Sequence, residues 1–261
     1  MELISGLAFH KISEWSLCNR YPQKFNSQNI KENDKVFINL DNYNEFLNIL
    51  KQNPPKNKFI LITHNSDKVF TNSHFINIKS FVNKVYAINN ICDNPNVYTI
   101  PIGFRDYPIY TSKILQKIKN DNQNDYKKNI FMYMNFTVNT NYEKRENCLI
   151  TFCNKPWITS EFNIKIEDFY LQIAKSKYVL SPEGTGIDCH RIYESIYFDT
   201  IPIIKTTYMD NFYKSLPIII VQDWSKVTEE EFNERYDEYF NKLKKWKNDN
   251  PGWEFAEYWC K

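Results

Sequence analysis

The chain has 261 residues, 42% of them hydrophobic and 25% charged, with 33 Lys and Arg against 31 Asp and Glu. That length suffices for one large domain or two small ones with a substantial core, and a net charge of +2 is too mild to argue for nucleic acid, where a basic stripe would be expected. No stretch approaches the roughly 18 apolar residues of a membrane helix, so no transmembrane segment is expected.

The N-terminal stretch MELISGLAFHKISEW carries an early Glu2 and no sustained apolar run, and does not read as a signal peptide. A soluble protein, cytoplasmic or otherwise intracellular, is expected. KVFINL (35–40), KFILIT (58–63), KVYAIN (84–89) and VYTIPIG (97–103) are β-branched and aromatic runs that predict strands. Between the first two, NYNEFLNILKQ (42–52) has helical spacing and stops before Pro54-Pro55. A second helix is predicted around 73–83. The polar segment 112–129 reads as one helix followed by a linker. A strand, NIFMYMNF (129–136), and a helix from near Tyr142 restart the pattern. YVLSP (178–182), a helix from Asp188, IPII (201–204) and PIIIV (217–221) follow. The tail 227–247 reads as one long amphipathic helix, capped by Thr228 with Glu231 completing a capping box.

This alternation predicts an α/β protein with mostly parallel sheets and helices on their faces. Two Rossmann-like domains are expected, 1–122 and 123–261, facing each other across a cleft, with the last helix packing back on the first. Ligands of such sheets bind beyond the carboxyl ends of the strands. That rule selects the loops THNSDK (63–68), GFRDY (103–107), TVNTNYEKR (137–145) and EGTGID (183–188). The six cysteines form no CxxC pair, and the four histidines do not cluster near Cys148 and Cys153, so free thiols and no metal site are expected.

The whole chain has five glycines, and Gly184 and Gly186 sit between a strand-like and a helix-like run. Glycine serves where the backbone needs positive φ or where something must approach it closely. A loop of this kind leading into a helix N-terminus can also hold an anion. On the helix that follows, Cys189, Ile192, Tyr193 and Ile196 share a core face, and His190, Arg191, Glu194 and Ser195 share the opposite one. Asp188 can act as the N-cap. Arg191 and Glu194 are either a surface ion pair or ligand contacts, a phosphate for the guanidinium and a sugar diol for the carboxylate. The spacing is neither GxGxxG nor a Walker loop.

The segment SPEGTGIDCHRIYESIYFDTIPII (181–204) resembles the donor-site motif of exostosin-like glycosyltransferases of the two-Rossmann, GT-B architecture. Pro182, Gly184, Gly186, Asp188, Arg191, Glu194, Ile201 and Pro202 fit that motif. LPIIIVQDWSKVTEEEF (216–232) resembles the family's following segment, NFTVNTNYEKR the start of its nucleotide-binding half, and IPIGFRD the end of its acceptor half. Tyr193 stands where the family usually has Trp, Ser195 where it has Ala, and Asp199 where it has Gly at the helix end. Asp accepts the left-handed conformation better than most residues.

The resemblance implies transfer of a sugar from a nucleotide-sugar donor, commonly a UDP-sugar, to a glycan or protein hydroxyl, with the donor in 123–261 and the acceptor in 1–122. Arg191, helped by amides near Gly184 and Gly186, would neutralise the departing diphosphate, and Glu194 would hold the ribose hydroxyls. Arg145 is either a second phosphate contact or a surface residue beside Glu143 and Glu146, and His190 either touches the donor or is structural. No Asp-x-Asp occurs, which favours a metal-independent reaction with no cofactor. An inverting transfer needs a general base. Asp67 is the first candidate, His64 the second and Asp106 the third, and each could instead cap its own loop. The alternative is a non-catalytic nucleotide-sugar- or glycan-binding module on the same fold.

Overall fold

A computed structural model describes residues 2–22, 24–106, 111–121 and 127–260. Its described residues form two five-stranded parallel sheets. One belongs to a unit made of Met1–Gly103 and Trp253–Lys261, the other to Phe104–Gly252. The boundary expected between 122 and 123 falls outside the described residues. The helix Thr111–Asp121 belongs to the second unit, and the short helix Ala256–Trp259 to the first.

In the first unit β1 (Trp15–Leu17), β2 (Lys35–Asn39), β3 (Phe59–His64), β4 (Val82–Ala87) and β5 (Val97–Thr99) lie side by side in chain order, all parallel. The central strands are near-continuous apolar runs because both faces of the sheet are covered. Steps that all run in one direction send right-handed crossovers to the same face. Accordingly, α1 (Gly6–Lys11) aside, α2 (Tyr43–Gln52) and α3 (Asn72–Ile78) share one core with Val36, Ile38, Leu61 and Val85. Helix α2 buries Tyr43, Phe46, Leu47 and Leu50, an i, i+3, i+4, i+7 stripe. Helix α3 ends earlier than the sequence suggested, because Val82 is claimed by strand β4. The other face is met by α1, where Phe9 packs on His64 and His10 on Phe37.

The second unit begins with α4 (Thr111–Asp121) and continues with β6 (Ile130–Met134), α5 (Tyr142–Phe152), β7 (Ile158–Ser160), α6 (Ile166–Lys175), β8 (Ser176–Leu180), α7 (His190–Tyr197), β9 (Ile201–Lys205), α8 (Asp210–Tyr213) and β10 (Ile219–Val221). The strand order is β10-β9-β8-β6-β7. From β6 the chain steps outward to β7 and then returns across β6 to β8. The order therefore reverses between β6 and β8, which is where parallel sheets open a ligand crevice. The described strands of the first unit show no such reversal. Alternation along β6 sends Met132 and Met134 to a core with Cys148 and Phe152 of α5, while Tyr133 packs near Phe169 of α6 on the opposite face.

The tail contains α9 (Glu229–Glu234) and α10 (Tyr236–Asp249) in place of the single helix expected, and Arg235 between them leaves helical geometry. Thr228 accepts from the Glu231 N–H, the cap expected of it, and the reciprocal bond from Glu231 that would complete a capping box is not formed. No helix of the described residues is long and apolar enough to cross a membrane.

Helix α7 differs most from its sequence reading. Arg191, Ile192, Tyr193, Glu194, Ser195 and Ile196 are all buried, so the polar face is interior rather than solvated. Its N-cap is Cys189, which makes no side-chain cap bond. Asp188 stands one residue earlier and is buried. Its carboxylate accepts from the Tyr193 hydroxyl at 2.7 Å and the Tyr213 hydroxyl at 3.0 Å. At the other end Asp199 takes φ 56°, and the N–H groups of Asp199 and Thr200 reach the carbonyls of Ile196 and Ser195 at 3.1 and 2.9 Å. This is a Schellman closure. Asp199 thus fills the family's glycine position, and its carboxylate pairs with Lys119, Lys244 and Lys247 at 3.3, 3.0 and 2.6 Å.

Candidate functional site

The β6/β8 reversal in the second unit is framed by two loops, 135–141 after β6 and 181–189 after β8. Arg145, in the first turns of α5, ties them together. Its Nε donates to the Glu183 carbonyl and its Nη1 to the Thr137 carbonyl, each at 2.8 Å. The Asn141 amide donates to the Gly184 carbonyl at 2.8 Å, and the Thr185 hydroxyl to the Thr140 carbonyl at 3.1 Å. Arg145 is therefore buried and engaged with backbone, not a surface residue beside Glu143 and Glu146.

Neither Gly184 nor Gly186 has positive φ. Close approach explains Gly184: a β-carbon there would lie 2.8 Å from Arg145 Nη2. The segment is small so that a guanidinium can cover it.

Arg191 is 6% exposed, yet its Nε and Nη1 have no hydrogen-bond partner. Its guanidinium lies 5.8 Å from the Phe136 ring centroid, as does that of Arg145. Burial pulls the Arg191 guanidinium down to about 10, and the nearby Arg145 and Arg105 charges act in the same direction. It stays cationic at neutral pH. A buried cation with open donors fits an anionic ligand.

Glu194 is fully buried. Its Oε1 pairs with Arg105 Nε at 3.2 Å and accepts from the Tyr170 hydroxyl at 3.0 Å, while Oε2 has no partner. Of the two alternatives for Arg191 and Glu194, the surface ion pair is therefore not the one formed. Arg105, from the loop assigned to the acceptor half, belongs to the second unit and holds the carboxylate. The Glu194 charge raises the Arg105 guanidinium above its ordinary value. Burial first, and then the Glu194 charge, pushes the Tyr170 hydroxyl far up, so it remains a neutral donor. The buried Ser181 hydroxyl, at the start of the same loop, has no partner either. His190 is half-buried at the first position of α7. A cavity of about 320 Å³ opens beside the loop, lined by Lys144, Pro182, Glu183, Lys205, Thr206 and Trp224.

Of the base candidates, Asp67 and His64 belong to the first unit and Asp106 to the second. Asp67 is exposed in the loop after β3. His64, the last residue of β3, is 1% exposed. Its Nε2 faces the Pro101 carbonyl at 3.2 Å and its Nδ1 accepts the Asn65 N–H at 2.9 Å. Both ring nitrogens are engaged with backbone, the arrangement of a structural histidine. Asp106 is half-buried and lies in the second unit.

Open donors of Arg191 and an open carboxylate oxygen of Glu194 are thus buried in the second unit, on the helix that follows β8, beside the reversal of strand order. The family model for the RXYLT1 C-terminal domain matches residues 110–244, all within this unit. The chain belongs to that family, which is exostosin-like. No curated protein matches the chain in sequence. Three solved structures are similar in fold. Anabaena Alr3699/HepE, in complex with UDP-glucose, is 8% identical over 82% of this chain and 74% of its own, with a TM-score of 0.40. The pneumococcal O-GlcNAc transferase GtfA, with UDP and GlcNAc, is 11% identical over 89% and 54%, at 0.40. An α1,3-fucosyltransferase with GDP-fucose is 12% identical over 92% and 84%, at 0.39.

Proposed function

We propose that the protein is a glycosyltransferase that moves a sugar from a nucleotide-sugar donor, a UDP-sugar, to a glycan or protein hydroxyl, without a metal and with inversion. The observation that carries this reading is the pair of incomplete buried groups on α7: Arg191 with open Nε and Nη1, and Glu194 with an open Oε2. Arg191 takes the diphosphate and stabilises the charge that grows on it as the glycosidic bond breaks. Glu194 accepts the ribose hydroxyls. Gly184 and Gly186 keep the loop close to the phosphates. Arg145 acts by bracing that loop, since two of its donors are spent on carbonyls. Asp67 takes the proton of the acceptor hydroxyl, because His64 has no nitrogen to spare.

The test is a thermal-shift panel of UDP, GDP, CMP and their sugars without added metal, on wild type, Arg191→Ala and Glu194→Ala. Ligand at a hundred times its dissociation constant adds about 2.7 kcal/mol, a shift of several degrees. One nucleotide class should shift wild type and neither variant. No shift with any of them would sink the donor-site reading. The structural engagement of His64 is the observation that favours the second reading, a binding module without turnover. Asp67→Asn separates the two. Lost transfer with retained donor binding supports the enzyme. Donor binding with no transfer by wild type to any glycan or protein hydroxyl supports the module.

A further inference from the structure

Glu194 has two arginines within reach and is paired with the one that is remote in sequence. Arg191 lies one turn earlier on the same helix, the spacing at which Arg and Glu side chains ordinarily meet. Instead the carboxylate turns its Oε1 to Arg105, and Arg191 keeps two open donors. The choice divides the labour. Had Glu194 paired with Arg191, the cation available to an anion and the carboxylate oxygen available to a hydroxyl would have closed on each other.

Arg105 is itself held in place. Its guanidinium lies 5.1 Å from the Phe169 ring centroid, and the next residue, Tyr170, donates to the same carboxylate oxygen that Arg105 contacts. Two consecutive residues of α6 thus fix both members of the pair. The result is a carboxylate whose Oε1 takes both contacts and whose Oε2 remains without a partner. A buried acceptor left open costs free energy unless a ligand completes it.

We infer that Arg105 is a positioning residue for the donor's ribose: it holds Glu194 so that Oε2 is presented to the ribose hydroxyls and Arg191 stays free for the diphosphate. This rests on the donor-site reading above. The groups that face Glu194 are Arg105, Tyr170 and Arg191.

The experiment measures affinity for UDP and for GDP, each against its 2′-deoxy counterpart, by calorimetry. Wild type should prefer the ribonucleotide by about tenfold or more, the value of a hydrogen bond to a buried charge. Arg105→Ala should lower ribonucleotide affinity and erase that preference. Arg105→Lys, which keeps the charge and guards against a folding defect, should restore part of it. Adding Glu194→Gln to Arg105→Ala should change the preference no further. A merely structural arginine would weaken both nucleotides alike and leave their ratio intact, and that result overturns the inference. No binding of any nucleotide by wild type would instead overturn the donor-site reading beneath it, and the inference with it.

Discussion

Arg145 Nη2 occupies the space, 2.8 Å away, into which a side chain on Gly184 would have to grow. The atom in the way is the far end of a flexible side chain, but that end is anchored by bonds to the Glu183 and Thr137 carbonyls. Gly184→Ala should therefore expel the guanidinium and cost what those bonds are worth, about 1.5–3 kcal/mol. Urea denaturation of Gly184→Ala, Arg145→Ala and the double variant checks this. In the Arg145→Ala background the glycine substitution should cost little. Full additivity would show that the clash acts through something else.

Arg191 and Arg145 should respond in opposite ways to loss of charge. Arg191 is buried with donors unpaired, an arrangement that does not favour the folded state. Arg191→Met should leave the stability of the free protein within about 1 kcal/mol of wild type, or above it, while nucleotide affinity falls at least tenfold. Arg145→Met should cost about 2–4 kcal/mol, because it strands two backbone carbonyls. Paired denaturation and binding measurements distinguish them. Equal destabilisation by both would count against a ligand role for Arg191.

Asp199 gives a pH signature. Burial works to raise its carboxyl, but Lys247 and Lys119 outweigh it and hold the group well below the ordinary carboxylate value. A carboxyl depressed in the folded state contributes stability above its unfolded value of about 3.9, and that contribution is lost as pH falls toward the folded value. Asp199→Asn should thus cost about 1–3 kcal/mol at pH 7. The gap between variant and wild type should begin to close below about pH 4. A gap that stays constant from pH 7 to pH 2 would contradict the lysine cluster as its cause.

Tyr193, where the resemblance led one to expect Trp, has a hydrogen-bonding task. Its hydroxyl and that of Tyr213 are donors to the buried Asp188 carboxylate. Tyr193→Phe and Tyr213→Phe should each cost about 1.5–3 kcal/mol in denaturation experiments, the worth of a bond to a charged group. Tyr193→Trp, with no hydroxyl, should not recover the loss. A neutral Tyr193→Phe would mean that water replaces the hydroxyl.

The sequence by itself determined whatever depends on neighbours along the chain. Runs such as FILIT in β3 and the Phe46–Leu50 stripe of α2 are local, because alternation and helical spacing state which side of an element is apolar. The glycine loop, the left-handed Asp199 and the Thr228 cap were legible for the same reason. So were Arg191 and Glu194 as the residues to watch, through their place in the motif. The short edge strands β1 and β7, three residues each, carry too little pattern to stand out. The tertiary structure decided what covers each face. Spacing put His190, Arg191, Glu194 and Ser195 opposite the core, and only the tertiary structure shows Arg191, Glu194 and Ser195 buried there, Glu194 against Arg105 and Tyr170 and Arg191 beside Phe136. The reversal of strand order at β6/β8 is likewise invisible in any single segment, since pairing is a relation between distant ones. An ion pair is chosen by proximity in space and by the desolvation that burial imposes. That is why Glu194 belongs to Arg105 rather than to the arginine one turn away.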